Sequence, residues 1–283
     1  WTKNLLVFAA PLFTFQFFNS SVWLTSSISF FSFCFISSSI YLLNDIIDIE
    51  SDRSHPLKRL RPIAAGMVSI RTAFLTSMLM LLLSLYIASA FSAKLFGLIF
   101  IYAGIQLGYC LRLKHEPLLD IFCIASGFLL RAMSGGVYLS PWFLLTVGLL
   151  SLFLAVEKRK AELKVSQDAG VFTRLVLERY SLPLLLRLES LLSTSAFMSY
   201  ALWASGPTLN GASTSWMLLT VPFVLVGILR YQLLSDPQEV ERRKMFYPNL
   251  TPENPEEILL GDSGIRSILL GWFLVTVLVG VFT

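Results

Sequence analysis

Charge is scarce in this chain. Asp, Glu, Lys and Arg make up 14% of its 283 residues, whereas an average soluble domain carries about 25%. Hydrophobic residues make up 55% and the mean hydropathy is +0.70. Apolar stretches of roughly 20 residues recur along the whole length, which excludes a large soluble helical protein and favours a polytopic membrane protein. In such a protein the backbone groups must be satisfied within helices. Histidine is nearly absent, with two residues, and the three cysteines, Cys34, Cys110 and Cys123, lie inside apolar spans. No CxxC or His-rich spacing accompanies them, which excludes a zinc site and a disulfide framework; they read as packing residues. No cleavable signal peptide is visible, so the first apolar stretch reads as part of the mature protein.

Apolar runs define nine expected spans, at about 4–18, 22–43, 70–91, 95–111, 118–138, 142–156, 182–204, 214–233 and 264–282. The fold class expected is therefore all-α: a multi-pass membrane protein of about nine transmembrane helices, forming one integral membrane catalytic domain over 1–283. The sixth run is short enough that its helix is expected to extend into the polar residues beyond it.

The connections alternate in character. Those after spans 1, 3, 5 and 7 are brief and almost uncharged, while those after spans 2, 4, 6 and 8 hold nearly every ionisable group. Of 22 Lys and Arg, only Lys94 lies in an odd loop and only Arg131 lies deep within a span. The positive-inside bias puts the even loops in the cytoplasm. The carboxylates gather on the same side, although that bias does not require it, and this suits a cavity opening to the cytoplasm at the cell membrane.

The densest polar cluster follows span 2. Asp45, Asp48 and Asp52 fall at i, i+3 and i+7, with Asn44 four residues before Asp48. If the helix continues through them they share one face, with Tyr41 one turn above. Carboxylates and an amide at that spacing suit a hard divalent cation that holds a diphosphate. Lys58, Arg59 and Arg61 follow and offer cations to an anionic ligand.

A second polar segment, Glu157-Lys158-Arg159-Lys160-Ala161-Glu162-Leu163-Lys164, ends span 6. Alone it could be a headgroup anchor. It follows the acidic cluster by four spans, as equivalent loops of an internal repeat would, and so is expected to form a phosphate-binding wall facing a metal-binding one. Arg112, Lys114 and His115 lie on the same side. His115 and His55 read as loop residues, and Lys3, beside Asn4, as either a snorkelling anchor or a ligand. Arg131, costly to bury alone, is expected to meet a carboxylate or a bound anion. The loop from Ser235 to Ser263, with Pro237, Pro248, Pro252 and Pro255, suits an irregular segment able to cover the cavity. Within it, Asn249-Leu250-Thr251 is a chance sequon match.

The pattern Asn44-Asp45-x-x-Asp48-x-x-x-Asp52-Arg53 resembles the first aspartate motif of the UbiA-type intramembrane prenyltransferase superfamily. The usual second aspartate motif after helix 6 is replaced here by Lys158-Arg159-Lys160-Ala161-Glu162-Leu163. Trp1-Thr2-Lys3-Asn4, Arg61-Pro62-Ile63-Ala64-Ala65-Gly66, Leu113-Lys114-His115 and Arg131-Ala132-x-x-Gly135-Gly136 are similar to one phosphoribosyl-transferring branch of it.

The resemblance implies a UbiA-like bundle with nine helices around a cytoplasm-facing cavity. It implies a pentosyltransferase that moves 5-phosphoribosyl from phosphoribosyl pyrophosphate (PRPP) to a polyprenyl (decaprenyl) phosphate and releases pyrophosphate. That step feeds decaprenylphosphoryl-arabinose and cell-wall arabinan; its partners are the two substrates and the bilayer, and no nucleic acid. The implied cofactor is Mg²⁺; the implied catalytic and metal residues are Asp45, Asp48 and Asp52, with Asn44 as a further metal ligand. The implied substrate-binding residues are Lys3, Tyr41, Asn44, Lys58, Arg61, Lys114, Arg131, Lys158, Arg159 and Glu162. Two other readings remain open: a prenyltransferase with an aromatic acceptor, and a transporter or lipid-binding protein without catalysis.

Overall fold

The computed structural model describes residues 2–54, 58–169, 175–236, 238–240, 242, 258–259 and 261–282. His55 and the stretch from Pro248 to Pro255, including Asn249-Leu250-Thr251, lie outside the described residues, as does Pro237.

Among the described residues the regular structure is helical throughout. A 3₁₀ segment, Thr2–Phe8, leads into a short α1 (Ala9–Phe13). There follow α2 (Ser20–Ile47), α3 (Ile49–Ser54), α4 (Ile70–Phe91), α5 (Ala93–Leu111), α6 (Leu119–Met133), α7 (Pro141–Ala169), α8 (Leu182–Ala204), α9 (Val221–Ser235) and α10 (Ser263–Phe282). Each expected apolar run holds one of these helices. Among the described residues six segments are long and apolar enough to cross a membrane: Ser20–Ile47, Ile70–Phe91, Ala93–Leu111, Pro141–Gln167, Ser215–Ser235 and Ser263–Phe282.

Local chemistry sets the helix boundaries. Ser69 and Ser92 cap α4 and α5 by accepting from the N–H groups of Thr72 and Leu95, donors that would otherwise be orphaned. The first run stops at Phe13 rather than 18, and Phe15 beyond it takes a left-handed φ of 54°. The fifth stops at Met133 rather than 138, before Gly135 and Gly136. A side chain on Gly135 would lie 2.3 Å from the Val7 carbonyl oxygen, so only glycine admits this close approach. The sixth extends as expected, running through the charged segment to Ala169.

The chain forms two compact units, Trp1–Pro11 with Gln16–Tyr138, and Leu12–Phe15 with Leu139–Thr283. In the first, α2 packs on α4, α5 and the N-terminal segment, and α5 on α6. Val7, Phe33, Ile36, Leu95, Ile99, Tyr102 and Leu130 form its core. Lipid tails are as apolar as leucine, so close backbone approach and interhelical hydrogen bonds drive association between membrane helices. The serines of α2 serve that purpose. Ser26 and Ser29 donate to the carbonyls of Gly135 and Ser134 at 2.9 and 2.8 Å, and Ser77 and Ser84 of α4 donate to those of Ser39 and Ser32. Leucines and aromatics such as Leu75, Leu79 and Tyr86 on α4 point outward and are exposed, as a bilayer permits and water would not. In the second unit, α7 packs along α8, and α9 and α10 against each other. Phe13, Phe143, Trp203 and Trp272 make one aromatic cluster; Phe153, Tyr231 and Ile265 anchor another core.

Candidate active site

The acidic residues sit where α2 ends, but the helix does not run straight through them. Regular α2 stops at Ile47, and Asp48 takes φ −90° and ψ 8° before α3 begins. Backbone bonds bridge the interruption: the Asp48 N–H donates to the Asn44 carbonyl at 2.9 Å, and that of Asp52 to the Asp48 carbonyl at 2.8 Å. The four-residue spacing therefore survives the break.

The carboxylates are held by two cations. Arg61 Nη1 donates to Asp45 Oδ1 and to Asp52 Oδ2, at 2.8 Å each, so those oxygens are no further apart than twice that distance. Lys114, which is buried, donates to Asp48 Oδ1 at 2.5 Å. These are charge-assisted contacts, about twice as strong as neutral ones. Neither Asn44 nor Tyr41 has a side-chain hydrogen bond among the described residues, and Tyr41 is exposed.

No group of three or more His, Cys, Asp or Glu among the described residues is gathered closely enough to hold a metal alone. The donors nevertheless fit magnesium. All are oxygens, Asp45 and Asp52 converge on one point, and Mg²⁺ usually takes one or two carboxylates together with substrate phosphates and water rather than a full protein cage.

Arg131 of α6 lies in the same unit, buried, and meets neither a carboxylate nor an anion among the described residues. Its Nε donates to Asn4 Oδ1 at 2.7 Å, Nη1 to the Gly127 carbonyl at 2.7 Å, and Nη2 to Ser37 Oγ and Tyr102 Oη at 2.9 Å. The guanidinium also faces the rings of Tyr102 and Phe33, at 4.8 and 5.3 Å from their centroids. Charge-assisted bonds contribute roughly 1.5–3 kcal/mol each, which offsets a burial cost of several kcal/mol. The result ties α2, α5 and α6 to the N-terminal segment, fixing Asn4 next to the exposed Lys3. Lys58 is half-buried in the turn Lys58–Leu60.

In the second unit, the basic segment of α7 is mostly buried. Arg159 is fully buried and donates to Glu162, one turn on. Lys160 donates to Glu157 Oε1 at 2.8 Å and to Glu189 Oε2 of α8 at 2.6 Å. Two carboxylates thus share one ammonium. Lys158 is half-buried.

The structure thus brings together Asp45, Asp48, Asp52, Arg61 and Lys114, and separately Arg159 with Glu162. Sequence reasoning missed the neutral cage of Ser37, Tyr102 and Gly127 around Arg131, which spacing does not reveal. It placed Glu157 and Lys160 in the phosphate-binding wall without their mutual ion pair, and it passed over Glu189, the second partner of Lys160. Glu189, a lone carboxylate inside an apolar helix, was a readable signal.

The described residues thus form apolar helices of membrane-spanning length, with three aspartates at one helix end paired to Arg61 and Lys114. The chain belongs to the UbiA prenyltransferase family, whose model matches residues 5–250. It is 39% identical over 288 residues to a decaprenyl-phosphate phosphoribosyltransferase of Mycolicibacterium smegmatis, covering 96% of this chain and 86% of that protein. It is 38% identical to one of Corynebacterium glutamicum, covering 96% of this chain and 81% of that protein. A UbiA homologue from Archaeoglobus fulgidus solved with DMAPP and Mg²⁺ has a TM-score of 0.70 at 18% identity, covering 99% of this chain and 96% of that one. That likeness shows the fold.

Proposed function

We propose that this transferase moves 5-phosphoribosyl from PRPP to the phosphate of a polyprenyl (decaprenyl) phosphate, in the route to decaprenylphosphoryl-arabinose. The observation that carries the proposal is the likeness to decaprenyl-phosphate phosphoribosyltransferases over almost the whole chain. The polar chemistry supports it. PRPP has an anion at each end, and this chain has two unlike polar segments: aspartates with cations after α2, and Lys158 with Arg159 on α7. A prenyl diphosphate has only one anionic end and would leave Lys158 and Arg159 with no phosphate to bind.

In this reading Asn44 and Asp48 are the first magnesium ligands, with Asp45 and Asp52 beside them. Bound there, Mg²⁺ would neutralise charge on the pyrophosphate. Lys3, Lys58, Arg61 and Lys114 hold the pyrophosphate or the acceptor phosphate, and Tyr41 hydrogen-bonds the ribose or a phosphate. Lys158 and Arg159 take the remaining phosphate; Glu162 orients Arg159. Arg131 was expected among the phosphate ligands. Its neutral cage supports a role through Asn4, holding the turn that carries Lys3.

An oxygen of the acceptor phosphate bonds to C1 of the ribose as the C1–O bond to pyrophosphate breaks, and the pyrophosphate leaves with the bonding pair. Positive charge builds on the sugar ring and negative charge on the leaving group, where fixed cations stabilise it. The acceptor is already an anion at neutral pH, so no base is required, which suits a chain with two histidines. The site is proposed to open to the cytoplasm at the cell membrane, on the charge asymmetry of the loops. Incubating purified protein with labelled PRPP, polyprenyl phosphate and Mg²⁺ tests this: labelled lipid and free pyrophosphate are expected, and their absence from folded protein would refute it.

A further inference from the structure

We infer that Arg61 and Lys114 are resident counter-ions, displaced from the aspartates when a metal-bound diphosphate enters, so that metal and diphosphate bind with strong mutual dependence. The inference rests on the metal–diphosphate reading above.

Charge and geometry carry it. Three carboxylates share two cations: one guanidinium nitrogen spans Asp45 and Asp52, and one ammonium holds Asp48. These five side chains together carry one negative charge in excess. Arg61 lies where Asp45 and Asp52 converge, the same place a cation would take. To release those oxygens it must lose both acceptors at once, and Lys114, nearly buried, would lose its carboxylate with little water to replace it. Metal alone therefore meets a penalty. Diphosphate alone meets the excess negative charge and finds both cations already engaged.

Together they remove both obstacles. The carboxylates turn to the metal, while Arg61 and Lys114 turn to the phosphate oxygens, so each broken pair is replaced by another. The Arg61 side chain is 38% exposed and that of Lys114 9%, so Arg61 has the freedom to swing and carries the larger share of the exchange. Thermodynamic reciprocity then requires each ligand to tighten the other by the same factor. Before the donor binds, the arrangement also keeps the site from filling with metal alone.

The test is Mn²⁺ binding to the full chain in detergent. Free Mn²⁺ is followed by electron paramagnetic resonance, with and without inorganic pyrophosphate, correcting for Mn²⁺–pyrophosphate formed in solution. The unmodified chain is expected to bind Mn²⁺ weakly, and pyrophosphate to tighten it by about tenfold or more, within the usual range of couplings. Arg61→Gln should bind Mn²⁺ alone several-fold more tightly, with most of the pyrophosphate effect lost; Lys114→Gln should shift the same way. Absence of coupling in the unmodified chain overturns the inference whatever the variants do. Manganese affinity unchanged or weakened in both variants, with pyrophosphate-dependent binding intact in the unmodified chain, overturns it too but leaves the metal–diphosphate site standing. No Mn²⁺ binding even with pyrophosphate would overturn that site and the inference with it.

Discussion

The two polar segments that look alike in sequence, each a dense run of charge ending an apolar helix, are built in opposite ways. After α2 the Arg61 pairs are partly open to water: Arg61 reaches across to Asp45 and Asp52 from a turn, and among the described residues the Asn44 and Tyr41 side chains have no hydrogen-bond partner. On α7 the charges are turned inward. Arg159 is sealed against Glu162, and Lys160 bridges two helices between Glu157 and Glu189. Exposed, exchangeable pairs contribute little to stability but can rearrange around a ligand. Buried pairs are costly to break, because removing one partner strands the other. In the proposed reading the first segment is the one that rearranges around a ligand, while the Lys160 bridge of the second holds α7 on α8.

Substitutions can break or sharpen that contrast. The largest effect on turnover is expected for Asp48→Ala, a loss of at least about a hundredfold in a chain that still folds, with a lowered unfolding midpoint because Lys114 loses its carboxylate. Normal turnover would remove Asp48 from the mechanism. Lys158→Ala should also lose most activity with the fold retained, as assayed in phosphoribosyl transfer; wild-type turnover would confine the α7 segment to structure. Lys160→Met should reverse the pattern, with a destabilisation of about 3–5 kcal/mol from two stranded carboxylates, read by denaturation in detergent before any activity is assayed. Glu157→Gln, which removes one negative charge but keeps an oxygen able to accept from Lys160, should change stability by no more than about 1 kcal/mol. An equal loss in both variants would mean that the two carboxylates do not share one ammonium. The smallest effect is expected for Ser39→Ala, roughly 0.6 kcal/mol, typical of a hydrogen bond between membrane helices.

Much of the fold was legible because hydropathy reports directly on helices that must satisfy their own backbone in lipid. The ends were less legible where conformation rather than composition decides. Phe15 in a left-handed conformation and the packed Gly135 cut two runs short, and Asp48 interrupts α2 inside a stretch that reads as continuous. For the site, the i, i+3, i+7 spacing of Asp45, Asp48 and Asp52 was enough to nominate them. Their pairing with Arg61 and Lys114 depends on tertiary placement, as Lys114 is 66 residues from Asp48. Arg131 was conspicuous as an intramembrane charge, yet its neutral partners Asn4, Ser37 and Tyr102 are unremarkable in sequence. Composition likewise marks Lys158, Arg159 and Lys160 as equivalent, and only packing separates the half-buried lysine from the two sealed residues.

The central claim is that the donor carries phosphate at both ends. It is tested most directly by giving the purified chain Mg²⁺ and two donors in parallel: PRPP with polyprenyl phosphate, and a prenyl diphosphate with an aromatic acceptor. Pyrophosphate release and a phosphoribosylated lipid only in the PRPP reaction is the predicted result. Turnover of the prenyl diphosphate with none of PRPP would contradict it.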